Sequence, residues 1–579
     1  MNTSGLNMAV LDTYTVTYSA TDADGNIGTE SRTVIVDDTI APVITLSGAD
    51  PYTVERGTTY VDPGATANGG ETVTVNTSGL DMAVSDTYTV TYSATDVYGN
   101  IGTASRIVIV DDTIAPVITL SGADPYAVAG RTTYVDPGAT ADTGETVTVN
   151  TSGLNMAAPG NYTVTYSATD ADGNIGTASR TVTVLFGWIQ QQKFQGSDTQ
   201  GGDQFGDSVA ISGDGNTAIV GASGEGGTGA AYIFTWSNSN SNWSEQDIIH
   251  ASDKQAGDGF GNSVSISEDG NTAIVGAPYE DTSAFTAGAA YIFTRSGTTW
   301  SEQQKIQASD KQQGDQLGKS VAISGDGNTA LVTAAFEDTG GTDAGAAYVF
   351  TRSGTTWTEQ AKIQASDKQA SDYFGWSAAI SDDGNTAIVG AYNEAYGTGA
   401  AYIFTRSGTT WSEQQKIQAS DAQGGDYFGW SAAISDDGNT AIVGAYNEST
   451  FPFYYGAAYV YTRSGTTWSE QQKIRASDKQ SGDRFGSSVA ISENGNTAIV
   501  GAYHEDTGGT DAGAAYIFTR SGTTWTQLEK IQSSDKQSGD RFGWSAAISD
   551  DGNTAIVGAY NEDTGGTDAG AAYIYRYIF

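Results

Sequence analysis

Cysteine is absent from the 579 residues, which excludes a disulfide framework, a thiol nucleophile and a thiolate metal site. Histidine is nearly absent. His250 and His504 are the only two, far apart and without a Ser/Asp setting, which argues against a Ser–His–Asp triad or a histidine-rich metal centre. Positive charge is scarce as well. The 26 Lys and Arg stand against 68 Asp and Glu, and the resulting net charge of −42 repels nucleic acid and anionic membrane faces. No run of about 18 consecutive apolar residues occurs, so no helix of the chain is expected to span a bilayer. A phosphate loop and a dinucleotide fingerprint are missing too.

What is present in quantity is glycine, 74 residues, beside Thr, Tyr and Val, with no long run of helix formers. That is the composition of many short strands joined by tight turns. These strands fall into repeats. "DDTIAPVITLSGADPYTVERGTTYVDPGATA" begins at Asp37, and nearly the same text begins at Asp111, a period of 74 residues. Each unit, 37–110 and 111–184, alternates apolar and polar residues between Gly, Asp and Asn turns and reads as a small β-sandwich. Residues 1–36 match only the second half of the unit: Met1-Asn2-Thr3-Ser4-Gly5 aligns with Val149-Asn150-Thr151-Ser152-Gly153. The expectation is a truncated unit, half a sandwich, with further units and an export signal upstream.

From 185 to 579 a second array takes over. It is anchored by Phe205-Gly206, Phe260-Gly261, Leu317-Gly318, Phe374-Gly375, Phe428-Gly429, Phe485-Gly486 and Phe542-Gly543, at intervals of 54 to 57 residues. Each unit reads "FGxSVAIS", an acidic turn, "TAIVGA", a loop, "GAAYIFTR" and "WSEQQKI": four strands. Seven four-stranded units describe seven blades around a channel. The array opens with a "WxxQQKF" strand, Trp188 to Phe194, and its last unit lacks that fourth strand. Pairing the two closes the ring and removes an exposed edge.

These repeats resemble the FG-GAP family, the propeller units of integrin α chains and of many bacterial surface proteins. Phe260-Gly261 followed by Gly276-Ala277-Pro278 spells the name. The 74-residue units look like the Ig-like repeats that serve as stalks in bacterial surface proteins. The resemblance implies an all-β chain, tandem Ig-like sandwiches followed by a seven-bladed propeller closed by Trp188–Phe194, held outside the cell or on its surface. It further implies that the propeller binds a glycan or protein ligand. A carbohydrate-active enzyme using carboxylates at the propeller mouth, or a passive matrix or surface-layer component, are the alternatives; no catalytic residue stands out.

The acidic turn, "SDDGN" in three blades, poses a metal question. The integrin-type calcium loop resembles D-x-D-x-D-G-x-x-D, since a hard cation needs six or more oxygens on one short arc. With its glycine set on Gly384, Asp383 takes the fifth position and Ser381 the third, but Ala379 and Ala387 take the first and ninth. Blade six has Asn494-Gly495 instead. Asp-Gly and Asn-Gly are the preferred centres of two-residue type I′ hairpins, so a hairpin is expected. In the first array "DADGN" at Asp22 and Asp170 becomes "DVYGN" at Asp96, also a turn. Calcium is not required, yet is possible elsewhere. "EDTGGTDAG" in blades three, six and seven places Asp338 and Asp343, Asp506 and Asp511, and Asp563 and Asp568 on the same face as the "SDxQxxD" loops, such as Asp478 and Asp483. The competing reading has each aspartate capping its own loop.

Residues that differ between blades are the candidates for recognition. The position after FG reads Asp207, Asn262, Lys319, Trp376, Trp430, Ser487 and Trp544. Three tryptophans thus rim one arc of the mouth, two of them preceded by Tyr373 and Tyr427. Blade five alone carries "STFPFYYG", with Phe451, Phe453, Tyr454 and Tyr455. Such aromatics form a stacking platform for sugar rings or a peptide, or pack down onto Trp430 as a plug. Trp188, Trp243, Trp300, Trp357, Trp411, Trp468 and Trp525 recur once per blade and are read as packing.

Overall fold

A computed structural model describes residues 1–237, 239, 241–282, 285–450 and 453–578. The chain divides into two compact units, 1–128 with 132–184, and 129–131 with 185–579.

In the first unit the sandwich of 37–110 has Tyr52–Glu55 parallel to Ile101–Asp111. The latter pairs antiparallel with Asp86–Thr95, which pairs with Thr74–Asn76. Ile44–Leu46 and Ala65–Ala67 form a second, two-stranded sheet. Alternation along the long strands sends Val90, Tyr92, Ala94, Val108 and Val110 into the core. Arg106 is wholly buried there as well. Its guanidinium donates to the Tyr92 hydroxyl (3.0 Å) and the Ala49 carbonyl (2.6 Å), and Tyr92 donates to Asp62 (2.6 Å). Filled donors are what allow a charge to sit inside. In residues 111–184 Arg180 is equally buried and donates to the Ala123 carbonyl (3.0 Å), while Tyr166 donates to Asp136 (2.8 Å). Residues 1–36 supply the hairpin Asp12–Thr21 with Ile27–Val36 and one bridge from Asn2 to Thr17. Val16 and Val36 are buried, but Arg32, in the place of Arg106, is exposed.

The second unit consists of seven four-stranded antiparallel sheets. In blade four these are Ser377–Ile380, Thr386–Ala391, Ala400–Ser407 and Thr410–Ile417. "TAIVGA" is buried at every position here because both faces of the sheet are covered, which is why it reads as a continuous apolar run. Neighbouring blades approach so closely that a Cβ on Gly390 would lie 2.0 Å from the Gly429 carbonyl. The Ser377 hydroxyl donates to that same carbonyl (2.9 Å). The seventh sheet takes its outer strand from the start of the array, with Trp188 opposite Tyr577 and Phe194 opposite Ala572. Its junction with blade one repeats the others: Ser545 donates to the Gly206 carbonyl (2.8 Å), and Phe205 bridges Gly570.

The strand tryptophans are buried, apart from a half-buried Trp411, and arginines such as Arg352 lie over them (5.7 Å to Trp357). In every blade but the first, a strand lysine bridges two carboxylates. Lys362, for example, holds Asp310 (2.7 Å) and buried Glu337 (2.8 Å), while Tyr348 also donates to Asp310 (2.8 Å).

The "SDDGN" segment is a turn, though not of the expected type. Gly384 alone takes a positive φ (64°), and its N–H donates to the Ser381 carbonyl (2.9 Å). Asp383 accepts from the Ser381 hydroxyl (2.6 Å) and from the backbone and side-chain amides of Asn385 (both 2.9 Å). It is therefore a four-residue loop closed by a left-handed glycine, not a two-residue type I′ hairpin. Ser381 pairs with Thr386 and leaves four residues between them, so only one position needs φ > 0. Asn494 makes the equivalent bonds to Ser492 and Asn496, which explains its exchange with Asp.

Candidate functional site: the two ends of the propeller channel

The innermost strand of each blade begins at FG, at the end that also carries the loop between second and third strands. The N–H groups of Gly425 and Tyr427, from the loop entering blade five, both donate to the Gly397 carbonyl in the loop of blade four. We call this the upper end. There the seven residues that follow FG come together around one cavity of about 470 Å³.

One half of its rim is aromatic. Trp376 and Trp430 lie 4.9 Å apart, inclined at 43°. Each is braced by the tyrosine after "GA": Tyr392 is 4.8 Å from Trp376 and Tyr446 is 4.4 Å from Trp430. Trp544 sits between Tyr503 (5.0 Å) and Tyr560 (4.7 Å). Tyr373 and Tyr427 lie outside the cavity lining and stack on Tyr392 and Tyr446. The supporting tyrosines escaped the sequence reading, although "GAY" in blades four to seven against "GAS", "GAP" and "TAAF" in blades one to three was the available signal.

The other half is polar. Asp207 accepts from the Ser223 hydroxyl (2.7 Å), the Trp544 indole N–H (3.1 Å) and the Asn262 amide (3.4 Å). Burial pushes its carboxyl above the usual range while these donors oppose the shift. The Lys319 ammonium lies 4.5 Å from the centre of the Trp376 ring. Burial pulls its pKa down, and the charge of Asp207 opposes that.

Of the blade-five loop, Phe451 lies outside the described residues. Ser449–Thr450 pairs with Phe453–Tyr454, and Phe453 and Tyr454 are 48% and 45% exposed. Tyr455 packs beside Phe453 and under Lys479. These three do not form the plug on Trp430, whose ring neighbours among the described residues are Trp376, Tyr392 and Tyr446. The loop pairs with its own residues instead, and this keeps its rings away from the mouth.

In the "EDTGGTDAG" loops, Asp338, Asp506 and Asp563 accept the backbone N–H of Asp343, Asp511 and Asp568 at 2.9, 2.9 and 2.8 Å. Asp511 also meets His504 Nδ1 (2.9 Å). In the "SDxQxxD" loops the second aspartate accepts a backbone N–H three residues back, as Asp483 does from Gln480 (2.5 Å). The first aspartate of each "EDTGGTDAG" loop and the second of the "SDxQxxD" loop thus cap their own loops.

Among the described residues, carboxylates gather instead at the lower end. The residue before each "DGN" or "NGN" is Gly213, Glu268, Gly325, Asp382, Asp436, Glu493 or Asp550. Backbone bonds link these positions from blade to blade, as from Gly213 to Glu268 (3.0 Å) and from Asp550 to Gly213 (3.1 Å). Ligand oxygens of Asp436, Glu493 and Asp550 lie within 4.8 Å of one another. Burial and the neighbouring carboxylates push Asp436 up to about 8 and Asp550 up to about 7. Protonation is therefore easier at this end than at an isolated carboxylate. Along the sequence "SDDGN" reads as a single turn; only the fold turns its second letter toward the axis.

Residues 188–234, 243–293, 300–350, 357–404, 411–461, 468–518 and 525–575 match the FG-GAP repeat. Residues 44–110 and 118–184 match the bacterial surface protein Ig-like domain. Hyalin of Strongylocentrotus purpuratus is 33% identical over 198 residues, 30% of this chain but only 16% of that protein. Among solved structures, hydrazine synthase of Kuenenia stuttgartiensis aligns with a TM-score of 0.41 and 12% identity over 64% of this chain and 95% of that one. The WD40 repeats of RRP9 align at 0.42 and 10%, over 67% and 98%. Likenesses at that level carry no argument about function. Among the described residues no helix is long and apolar enough to cross a membrane. With seven matched repeats covering more than half of its length, the chain belongs to the FG-GAP repeat family, in company with bacterial surface-protein Ig-like domains.

Proposed function

We propose that this surface or adhesion-type protein recognises a glycan at the upper mouth of its propeller, with the Ig-like units as its stalk. The observation that supports this reading most is the meeting of Trp376, Trp430 and Trp544 around one cavity. Indole faces suit the C–H faces of sugar rings, and each aromatic contact contributes about 0.5–1.5 kcal/mol. Exposed Tyr454 and Phe453 extend the apolar surface at the same end. A protein ligand is the second possibility at the same rings. Hydrolysis has less support. A glycosidase sets two carboxylates across the bond, and Asp207 is the one carboxylate among the residues lining this cavity. We further propose that binding needs no cation, because Asp338, Asp506 and Asp563 of the upper loops already hold backbone donors.

The test is a printed glycan array probed with the full chain and with a Trp376→Ala/Trp430→Ala double variant. Binding that falls at least about fivefold in the variant is the expected outcome, as two stacking contacts would require. Binding by both proteins alike would move the site away from the mouth. A polysaccharide cleaved by the wild type would revive the enzyme reading, and silence in both experiments would leave a structural matrix component.

A further inference from the structure

The lysines of the propeller strands set a standard that Lys319 does not meet. Lys305, Lys362, Lys416, Lys473 and Lys530 are each held by two carboxylates at 2.7 to 2.9 Å. Lys319 lines the cavity at the mouth, is half-buried, and has no hydrogen-bond acceptor among the described residues. Its company is the face of Trp376 and the more distant charge of Asp207. Asp207 is already committed to Ser223, Asn262 and Trp544. A partly desolvated ammonium without an acceptor is costly unless something supplies one. Here it stands at the edge of a cavity of about 470 Å³, within the size range of small-ligand sites.

We propose that the upper mouth selects glycans ending in a carboxylate-bearing sugar, such as a uronic or sialic acid. Lys319 takes the carboxylate and Trp376 and Trp430 take the ring. This rests on the glycan reading above and names its ligand class. A neutral sugar offers Lys319 only hydroxyl acceptors and leaves the charge uncompensated, whereas charge-assisted hydrogen bonds are about twice as strong as neutral ones. The net charge of −42 and the carboxylates at the other end of the channel repel polyanions, so a single acidic residue fits better than an acidic polysaccharide.

The experiment uses the full chain and matched glycan pairs, one pair ending in glucuronic acid or glucose, the other in sialic acid or its carboxyl-reduced form. The acidic member of at least one pair is expected to bind about tenfold better, the weight of one charge-assisted contact. Lys319→Met, checked for an unchanged melting midpoint, is expected to bring that pair within about twofold, and Lys319→Arg to keep the preference. Raising salt gives the same readout without substitution: the acidic member weakens and the neutral one does not. Equal binding of both pairs, a preference that survives Lys319→Met, or binding confined to sulfated glycans overturns the proposal. If the neutral glycans still depend on Trp376 and Trp430, the glycan reading stands without it. Binding to no glycan at all overturns both.

Discussion

At the upper end of the channel, the residue after FG is tryptophan in three blades, lysine in one and aspartate in another. At the lower end, the residue before "DGN" or "NGN" is acidic in five blades and glycine in two. Both sets come from opposite ends of the same strand–turn element in blades whose strands are nearly identical. "TAIVGA" and "GAAYIF" have almost no freedom to differ, because every side chain there is closed in by a neighbouring sheet. Freedom begins where the innermost strand meets the axis. Sevenfold repetition then turns one free position per blade into a ring. The upper ring became largely aromatic, with one lysine and one aspartate; the lower one became acidic, which with burial raises the carboxyl pKa values of Asp436 and Asp550. Variation concentrated at the ends of an otherwise invariant scaffold is where recognition is to be sought.

Removing 188–194 would break both ends at once. The seventh sheet would lose its outer strand with buried Trp188 and Phe194, each worth about 1.5–3 kcal/mol of burial. At about 2–4 °C per kcal/mol for a large domain, the melting midpoint is expected to fall by about 10 °C or more. An unchanged midpoint would mean that the ring does not depend on that strand.

Asp436→Asn isolates the lower end. A carboxyl with a raised pKa contributes its full stability below the unfolded value of about 4, and that contribution is lost as pH rises through about 8. Replacing it is therefore expected to raise the midpoint by about 2–4 °C at pH 8 and to change little at pH 4. A rise that is equal at both pH values would show that proton sharing is not the cause.

A chelator addresses the loops of the upper end. Because Asp338, Asp506 and Asp563 already cap their loops, the midpoint is expected to agree within about 1 °C with chelator and with added calcium. A larger calcium-dependent rise would put a cation on those aspartates. A similarly small effect is expected from Asp437→Asn, since Asn494 already fills the same turn in blade six. A shift of more than about 2 °C would show that the turn aspartates do more than close their hairpins.

The blade strands were legible because a doubly covered strand must be a continuous apolar run, and the 54 to 57 residue interval set their number. The tryptophan arc was legible because it breaks the repeat. What escaped the sequence reading depends on distance between residues remote in the chain. Tyr392 and Tyr446 follow a strand motif and look like ordinary variation until they meet Trp376 and Trp430. Arg106 sits in a strand as a charged letter, and only its carbonyl partners and Tyr92 reveal it as core. Asp436 and Asp550 lie in turns 114 residues apart, and burial together with their convergence raises both pKa values.

By itself the sequence determined the all-β class, the repeats and their order, and the position where blades differ, because backbone hydrogen bonding and burial impose periodicity along the chain. Only the tertiary structure decided which differing residues share a cavity, that Lys319 has no acceptor among the described residues, and that the turns end in a ring of carboxylates with raised pKa values. Those properties come from electrostatics and packing across the axis, where residues from separate blades meet.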